Sequence, residues 1–212
     1  MKSSALFLIL LAGLASSPQL LRAAEPGANQ PAPSCCAAKQ PSRSAPACTD
    51  KSLYQLESTW TTDQGKPFKL GNLAGKPQVI LMFFSRCTAA CPMLLNDLKR
   101  INAALTPKQR ARVGFTLVSF DTEHDTPSTL AAYRQAWSLP DREWTLLSGQ
   151  PDDVQELAAL LGVQYRQTGA GQFAHSNVIT VLNAKGEIVH QQVGLNEDVT
   201  GTVQKLAGLA GL

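Results

Sequence analysis

The sequence predicts an α/β fold: a central mixed sheet flanked by helices, with an N-terminal hairpin in front of it. Three observations carry this reading. Val79–Phe84 and Val113–Phe120 are runs dominated by apolar residues, of strand length, bounded by turn residues, as buried central strands are. Each is followed by a polar turn and then by apolar residues at helical spacing. Near the end, two strand-like segments flank Asn183-Ala184-Lys185-Gly186, a turn by composition.

In chain order, Leu53–Trp60 alternates enough to be a strand. Asp63-Gln64-Gly65-Lys66-Pro67 is a turn, and Phe68-Lys69-Leu70 returns as the second arm of the hairpin. Gly75-Lys76-Pro77 leads into the Val79–Phe84 strand. A helix follows from about Pro92 to Leu105, with Met93, Leu94, Leu95, Leu98 and Ile101 at helical spacing and Thr106-Pro107 as its punctuation. After the Val113–Phe120 strand, Asp125 or Thr126 caps a helix whose first-turn residue is Pro127 and whose stripe is Leu130, Ala131, Tyr133 and Trp137. Trp144–Leu147 is a short strand, Pro151–Leu161 a helix stopped by Gly162, and Gly169-Ala170-Gly171 a loop. His175–Leu182 and Glu187–Val193 form the late hairpin, and Asn196 caps a last helix from Glu197 to about Leu209. Alternating strands and helices, closed by a hairpin and a helix, make a thioredoxin-like layout with one insertion.

The chain has 212 residues, 44% of them hydrophobic, enough for one domain with a real core plus extra segments. Residues 1–23 read as a secretory signal: Lys2 is a short basic start and Ala5–Ala15 an apolar run too short to span a bilayer, which needs about 20 residues. Cleavage after Ala23 gives an exported, periplasmic or otherwise extracytoplasmic protein; retention of the segment would leave it membrane-tethered. Residues 24–50 are rich in Pro, Ala, Ser, Gln and Lys and read as a flexible linker that carries Cys35, Cys36 and Cys48. These are either a second, mobile thiol site or incidental, and their spacing matches no zinc motif. Residues 51–212 are the folded domain. The formal charge of +3 becomes +1 without residues 1–23, which hold Lys2 and Arg22 and no acid (3 − 2 = 1). That balance, with 6% aromatics, argues against nucleic acid as a partner. A monomer is the default.

The chemistry concentrates at Ser85-Arg86-Cys87-Thr88-Ala89-Ala90-Cys91-Pro92, between a strand and a helix. A helix N-terminus and Arg86 favour thiolates there. Two neighbouring thiolates can exchange a disulfide or hold a soft metal ion. Three residues separate the cysteines, where thioredoxin-type oxidoreductases have two. Of the three histidines, His124 lies in a polar capping loop and His190 in the late hairpin. His175 begins a strand after a glycine-rich loop, where thioredoxin-like folds place a proline facing the cysteines; here the residues are Ala174-His175. Imidazole beside two thiolates suits Cu(I), or Cu(II) with a further oxygen or nitrogen ligand.

From about Leu53 to the C-terminus, three-quarters of the chain, the sequence resembles the Sco/SenC family of thioredoxin-fold copper proteins. The resemblance rests on Cys87-x-x-x-Cys91-Pro92 after an aromatic strand, on Asp121-x-x-x-Asp125-Thr126-Pro127 with Leu130 and Tyr133, and on His175-Ser176 before a strand. It implies one copper held by Cys87, Cys91 and His175, delivered to the dinuclear copper centre of cytochrome c oxidase or used in its reduction. The recipient would be the copper-bearing oxidase subunit or another copper or thiol protein. Asp121 or Asp125 would fall near the metal, against which stands a role in loop closure and helix capping. The chain departs from the family at Ser85-Arg86, where Thr or Tyr-Thr is usual, at Thr88 in place of Pro, and at Ala90 in place of an acidic residue.

Two functions follow. The first is an exported copper metallochaperone. The alternative is an extracytoplasmic thiol–disulfide oxidoreductase with Cys87 as nucleophile and Cys91 as resolving thiol. The chain lacks a Pro-x-x-x-Thr-x-x-Cys pattern that would activate peroxide.

Overall fold

The computed structural model describes residues 49–169 and 171–211. The predicted signal and all of the linker except Thr49 and Asp50, with Cys35, Cys36 and Cys48, lie outside the described residues.

Among the described residues nine strands and five α-helices follow in order: β1 Trp60–Thr62, β2 Pro67–Phe68, β3 Gln78–Phe83, α1 Ala90–Ala104, α2 Pro107–Arg110, β4 Gly114–Ser119, α3 Pro127–Ala136, β5 Trp144–Ser148, α4 Pro151–Leu160, β6 Tyr165–Gly169, β7 Gln172–His175, β8 Val178–Leu182, β9 Ile188–Val193 and α5 Thr200–Leu209. Seven strands form one sheet in the order β2-β1-β5-β4-β3-β8-β9. Its middle is parallel, with Val79 opposite Phe115 and Phe115 opposite Trp144. Its two sides are antiparallel, β1 on β5 and β8 on β3. The sheet is therefore mixed, and helices flank it, as the sequence predicts. β3, β4 and β8 are buried at every position, which is why their sequences read as apolar runs rather than alternations. Among the described residues no helix is long and apolar enough to cross a membrane.

The N-terminal hairpin is present as β1–β2, with Trp60 opposite Phe68. Its first arm lies later than predicted and shares only Trp60 with the expected Leu53–Trp60 strand. Leu53–Gln55 is a 3-10 turn capped by Ser52, whose Oγ accepts from the Tyr54 N–H. Leu53 and Tyr54 are adjacent and both buried, a pattern one turn of helix satisfies and a one-sided strand cannot. Thr106 starts α2 with a reciprocal capping box to Gln109.

Two further expectations are corrected. Asn196 does not cap α5. It is left-handed at φ 56, its N–H donates to the buried Asp97 carboxylate at 3.0 Å, and the helix begins at Thr200, whose N–H is held by Asp198. The stretch around Gly169-Ala170-Gly171 is not merely a loop before a strand. β6 and β7 form a separate two-stranded hairpin, and His175 ends β7 instead of starting β8. Four of the five β6 residues are exposed, so no hydrophobic alternation marks that strand in the sequence.

Candidate metal centre

β3 runs out of the core at Phe83 and delivers the cysteines to the end of the sheet. The four-residue spacing does not place both on one helix face, because α1 begins only at Ala90. Cys87 stands in the connection, half-buried, and Cys91 lies in the first helical turn, 1% exposed. Ala89, the residue before the helix, offers no side-chain cap. The Cys91 N–H instead donates to Cys87 Sγ at 3.3 Å, so the first sulfur takes one of the free amides of the helix end. Both cysteines are free thiols.

His175 arrives from the other side. Alternation along β7 turns Phe173 and His175 to one face and exposes Gln172 and Ala174. That face packs on aromatic rings, with His175 centred 5.3 Å from Phe120 and 6.1 Å from Phe84. The imidazole Nδ1 lies 3.0 Å from the Ser176 carbonyl oxygen, which can only accept, so Nδ1 carries a proton. Nε2 is then the unprotonated nitrogen, and it lies 3.5 Å from Cys91 Sγ, whose thiol proton it accepts. Donor atoms of Cys87, Cys91 and His175 all fall within 4.8 Å of one another, which makes them a group able to hold a metal ion. The sequence-predicted residues are thus brought together, although they come from three separate elements.

Electrostatics at Cys91 run against the sequence expectation. Burial, the largest influence, pushes its thiol far above the ordinary range, and a backbone hydrogen bond at Phe84 opposes this only in part. The helix end does not make Cys91 a ready thiolate; a cation would have to displace its proton. Arg86 does not lend its charge to the sulfurs either, since its Nη2 is paired with Asp121 Oδ2 at 2.8 Å.

Asp121 and Asp125 close loops. Asp125 Oδ2 accepts from the Ser85 N–H at 2.9 Å and from Ser119 Oγ at 2.5 Å, and Oδ1 accepts from Ser85 Oγ. It thereby ties the residue two before Cys87 to the end of β4. Asp121 holds Arg86 and, through Oδ1, His124 Nδ1 at 2.8 Å. Burial alone would raise its carboxyl, but the hydrogen bonds from Arg86 and His124 hold it below the usual carboxylate range. Thr126, rather than Asp125, caps α3. His190 lies apart from the cysteines, its Nε2 bonded to Thr202 Oγ1 at 3.0 Å. Sequence reading missed Ser85 and Ser119 as bracing groups and Phe120 and Phe173 as the floor under His175. Only the unusual Ser85-Arg86 pair hinted at any of them.

Comparison with known proteins completes the description. The family model described as SCO1/SenC matches residues 48–210. Protein SCO2, mitochondrial, of Saccharomyces cerevisiae is 34% identical over 154 residues, 69% of this chain and 49% of that protein, so the chain spans about half its length. Among solved structures, BsSco, a member of the Sco family of cytochrome c oxidase assembly proteins in which a disulfide switch was identified, is similar with a TM-score of 0.64 and 19% identity, covering 75% of this chain and 95% of that one. Copper-bound ScoI of Bradyrhizobium japonicum is similar with a TM-score of 0.58 and 21% identity, covering 72% and 96%. At these identities the two structures establish a shared thioredoxin-like fold. With the family model extending over more than three-quarters of its length, the chain belongs to the SCO1/SenC family.

Proposed function

We propose that this chain is an exported copper metallochaperone that holds one copper through Cys87, Cys91 and His175 and hands it to a respiratory oxidase copper centre. The observation that carries the reading is the convergence of two sulfurs and one imidazole nitrogen within 4.8 Å, with Nε2 the unprotonated nitrogen facing the sulfurs. Two thiolates and an imidazole are a soft three-ligand set, suited to Cu(I), whereas structural zinc takes four protein ligands. A copper-bound family fold supports the choice of metal.

The parts of the site divide the work. Cys87, the more exposed sulfur, is the first to meet an incoming or departing ion; Cys91 and His175 complete the set behind it. Transfer proceeds by ligand exchange with the recipient's own thiolates, and oxidation of Cys87 and Cys91 to a disulfide removes two ligands at once, so occupancy depends on redox state. The disulfide switch identified in BsSco supports this coupling, and that protein's family of oxidase assembly proteins supports the recipient. The apolar segment in residues 1–23 supports export, with residues 24–50 as a tether or linker and residues 51–212 as the working domain.

Half-exposed Cys87 beside buried Cys91 also favours a second reading, a thiol–disulfide oxidoreductase with Cys87 attacking. Anaerobic Cu(I) binding separates the two. The reduced protein is expected to bind one copper at this site, and His175→Ala to weaken it by roughly 10- to 100-fold while leaving disulfide exchange largely intact. Binding indifferent to His175 would transfer the assignment to the oxidoreductase.

A further inference from the structure

The β6–β7 hairpin brings His175 to the cysteines, yet it lies outside the main sheet. Its base is tied by Ser176 N–H to the Gln164 carbonyl at 2.8 Å and by Gln164 N–H to Ser176 Oγ at 3.0 Å. Its middle rests on rings, Phe173 against Phe84 at 5.1 Å and Phe120 at 5.2 Å, with Tyr165 stacked on Phe120 at 5.0 Å. At its tip stands Gly171, at φ +68, packed so closely on the Arg86 guanidinium that a Cβ there would collide with Nη1, Nη2 and Cζ. The same guanidinium is pinned from the other side by the buried Asp121 carboxylate, which the His124 backbone and ring fix in place.

We propose that Arg86 is the positioning residue of this metal centre: held by Asp121, it clamps the hairpin tip against the cysteine loop and so sets where His175 stands. The proposal rests on the copper reading above and adds to it a residue that is not itself a ligand. A planar guanidinium can pair with a carboxylate along one edge and still present a flat face to a glycine, which a lysine ammonium cannot do. The consequence is selective. The thiolates are carried by the β3–α1 connection and the first turn of α1, whereas the imidazole comes only with the hairpin. Cu(I), the softer ion, leans more on the two thiolates, and Cu(II) more on the nitrogen. Arg86 therefore weighs more on Cu(II) binding than on Cu(I) binding.

The test uses the full chain and its Arg86→Ala, Arg86→Lys, His175→Ala and Arg86→Ala/His175→Ala variants. Arg86→Ala is expected to weaken Cu(II) by roughly 10- to 100-fold and to alter the thiolate-to-Cu(II) absorption and the nitrogen couplings in the EPR spectrum, with a smaller loss of Cu(I) affinity than His175→Ala shows. Arg86→Lys should resemble Arg86→Ala, and the double variant should bind Cu(II) no more weakly than His175→Ala alone. In the metal-free protein, amide exchange should accelerate in residues 165–175 of Arg86→Ala and not in β3 or β4. Wild-type Cu(II) spectra together with wild-type exchange in Arg86→Ala would overturn the clamp. So would full rescue by lysine, or a double variant weaker than His175→Ala by the whole Arg86 factor, because Arg86 would then act on the thiolates through charge. Copper-free wild-type protein would sink the copper reading instead, and the exchange measurement would still decide the clamp.

Discussion

Nε2 of His175 and Sγ of Cys91 are 3.5 Å apart, and the two groups are prepared for a cation in different ways. The histidine is ready, because the Ser176 carbonyl holds the proton on Nδ1. The cysteine is not, because burial keeps its thiol protonated at neutral pH. Copper capture must therefore expel at least the Cys91 proton. Since that group's ordinary value is already above neutrality and burial raises it further, the protonated form dominates in the metal-free protein, and rising pH lowers the cost of removing it. Apparent Cu(I) affinity should increase with pH, about tenfold per pH unit for each proton released. Competition titrations across neutral pH measure the slope. A flat profile would mean that Cys91 is not a ligand, and Cys91→Ser should abolish tight binding.

At the scale of elements, the site is braced from β3 and β4 by Asp125, while the far side of the sheet has its own brace. Arg134 of α3 makes a two-pronged pair with Asp63, just past β1, at 2.5 and 3.0 Å, and its Nη2 also donates to the Trp144 carbonyl of β5 at 3.0 Å. Both side chains are nearly buried, Arg134 at 9% and Asp63 at 8% exposure. Removing Asp63 leaves Arg134 only the exposed Asp141 carboxylate at 3.3 Å and backbone carbonyls, so Asp63→Ala should cost about 3 kcal/mol in denaturant unfolding. β1 is three strands from β3, roughly 14 Å away, so the copper spectrum of the folded variant should match the wild type. A changed spectrum would mean that the two ends of the sheet are mechanically coupled. None of this pair was legible in the sequence. Arg134 follows Leu130 by one helical turn, and a stripe read through Leu130, Ala131, Tyr133 and Trp137 passes it by, because burial of an arginine depends on an acid 71 residues away. β3 and β4, by contrast, announce themselves, because strands covered on both faces must be apolar throughout. The cysteines were legible for a local reason, a strand end followed by Pro92. His175 was legible only through its place before a late strand. The hairpin that carries it was not, since its exposed, polar residues are held by backbone bonds and by a few ring contacts that no period reveals.

For the molecule as a whole, the family match and the core have nearly the same extent. Buried apolar residues run from Leu53 to Ala210, and the match covers 48–210. Even Thr49 is tied in, its Oγ1 donating to Glu187 at 2.5 Å. Every group of the metal centre, and every brace named for it, falls inside these bounds. A protein beginning at Thr49 should therefore unfold cooperatively and bind one Cu(I) with the affinity of the full chain. At a free copper concentration about 1,000 times the dissociation constant, it should gain about 4 kcal/mol of stability by mass action. Calorimetry with and without copper checks both statements. Weaker binding by the shortened protein would place part of the site in Cys35, Cys36 or Cys48. Equal affinity, with a second equivalent of copper taken up only by the full chain, would make those cysteines a separate store from which the folded centre is loaded. The two arrangements differ in kinetics as well. A shared site predicts a single binding phase, whereas a separate store predicts transfer into the domain at a rate independent of protein concentration, because donor and acceptor belong to one chain.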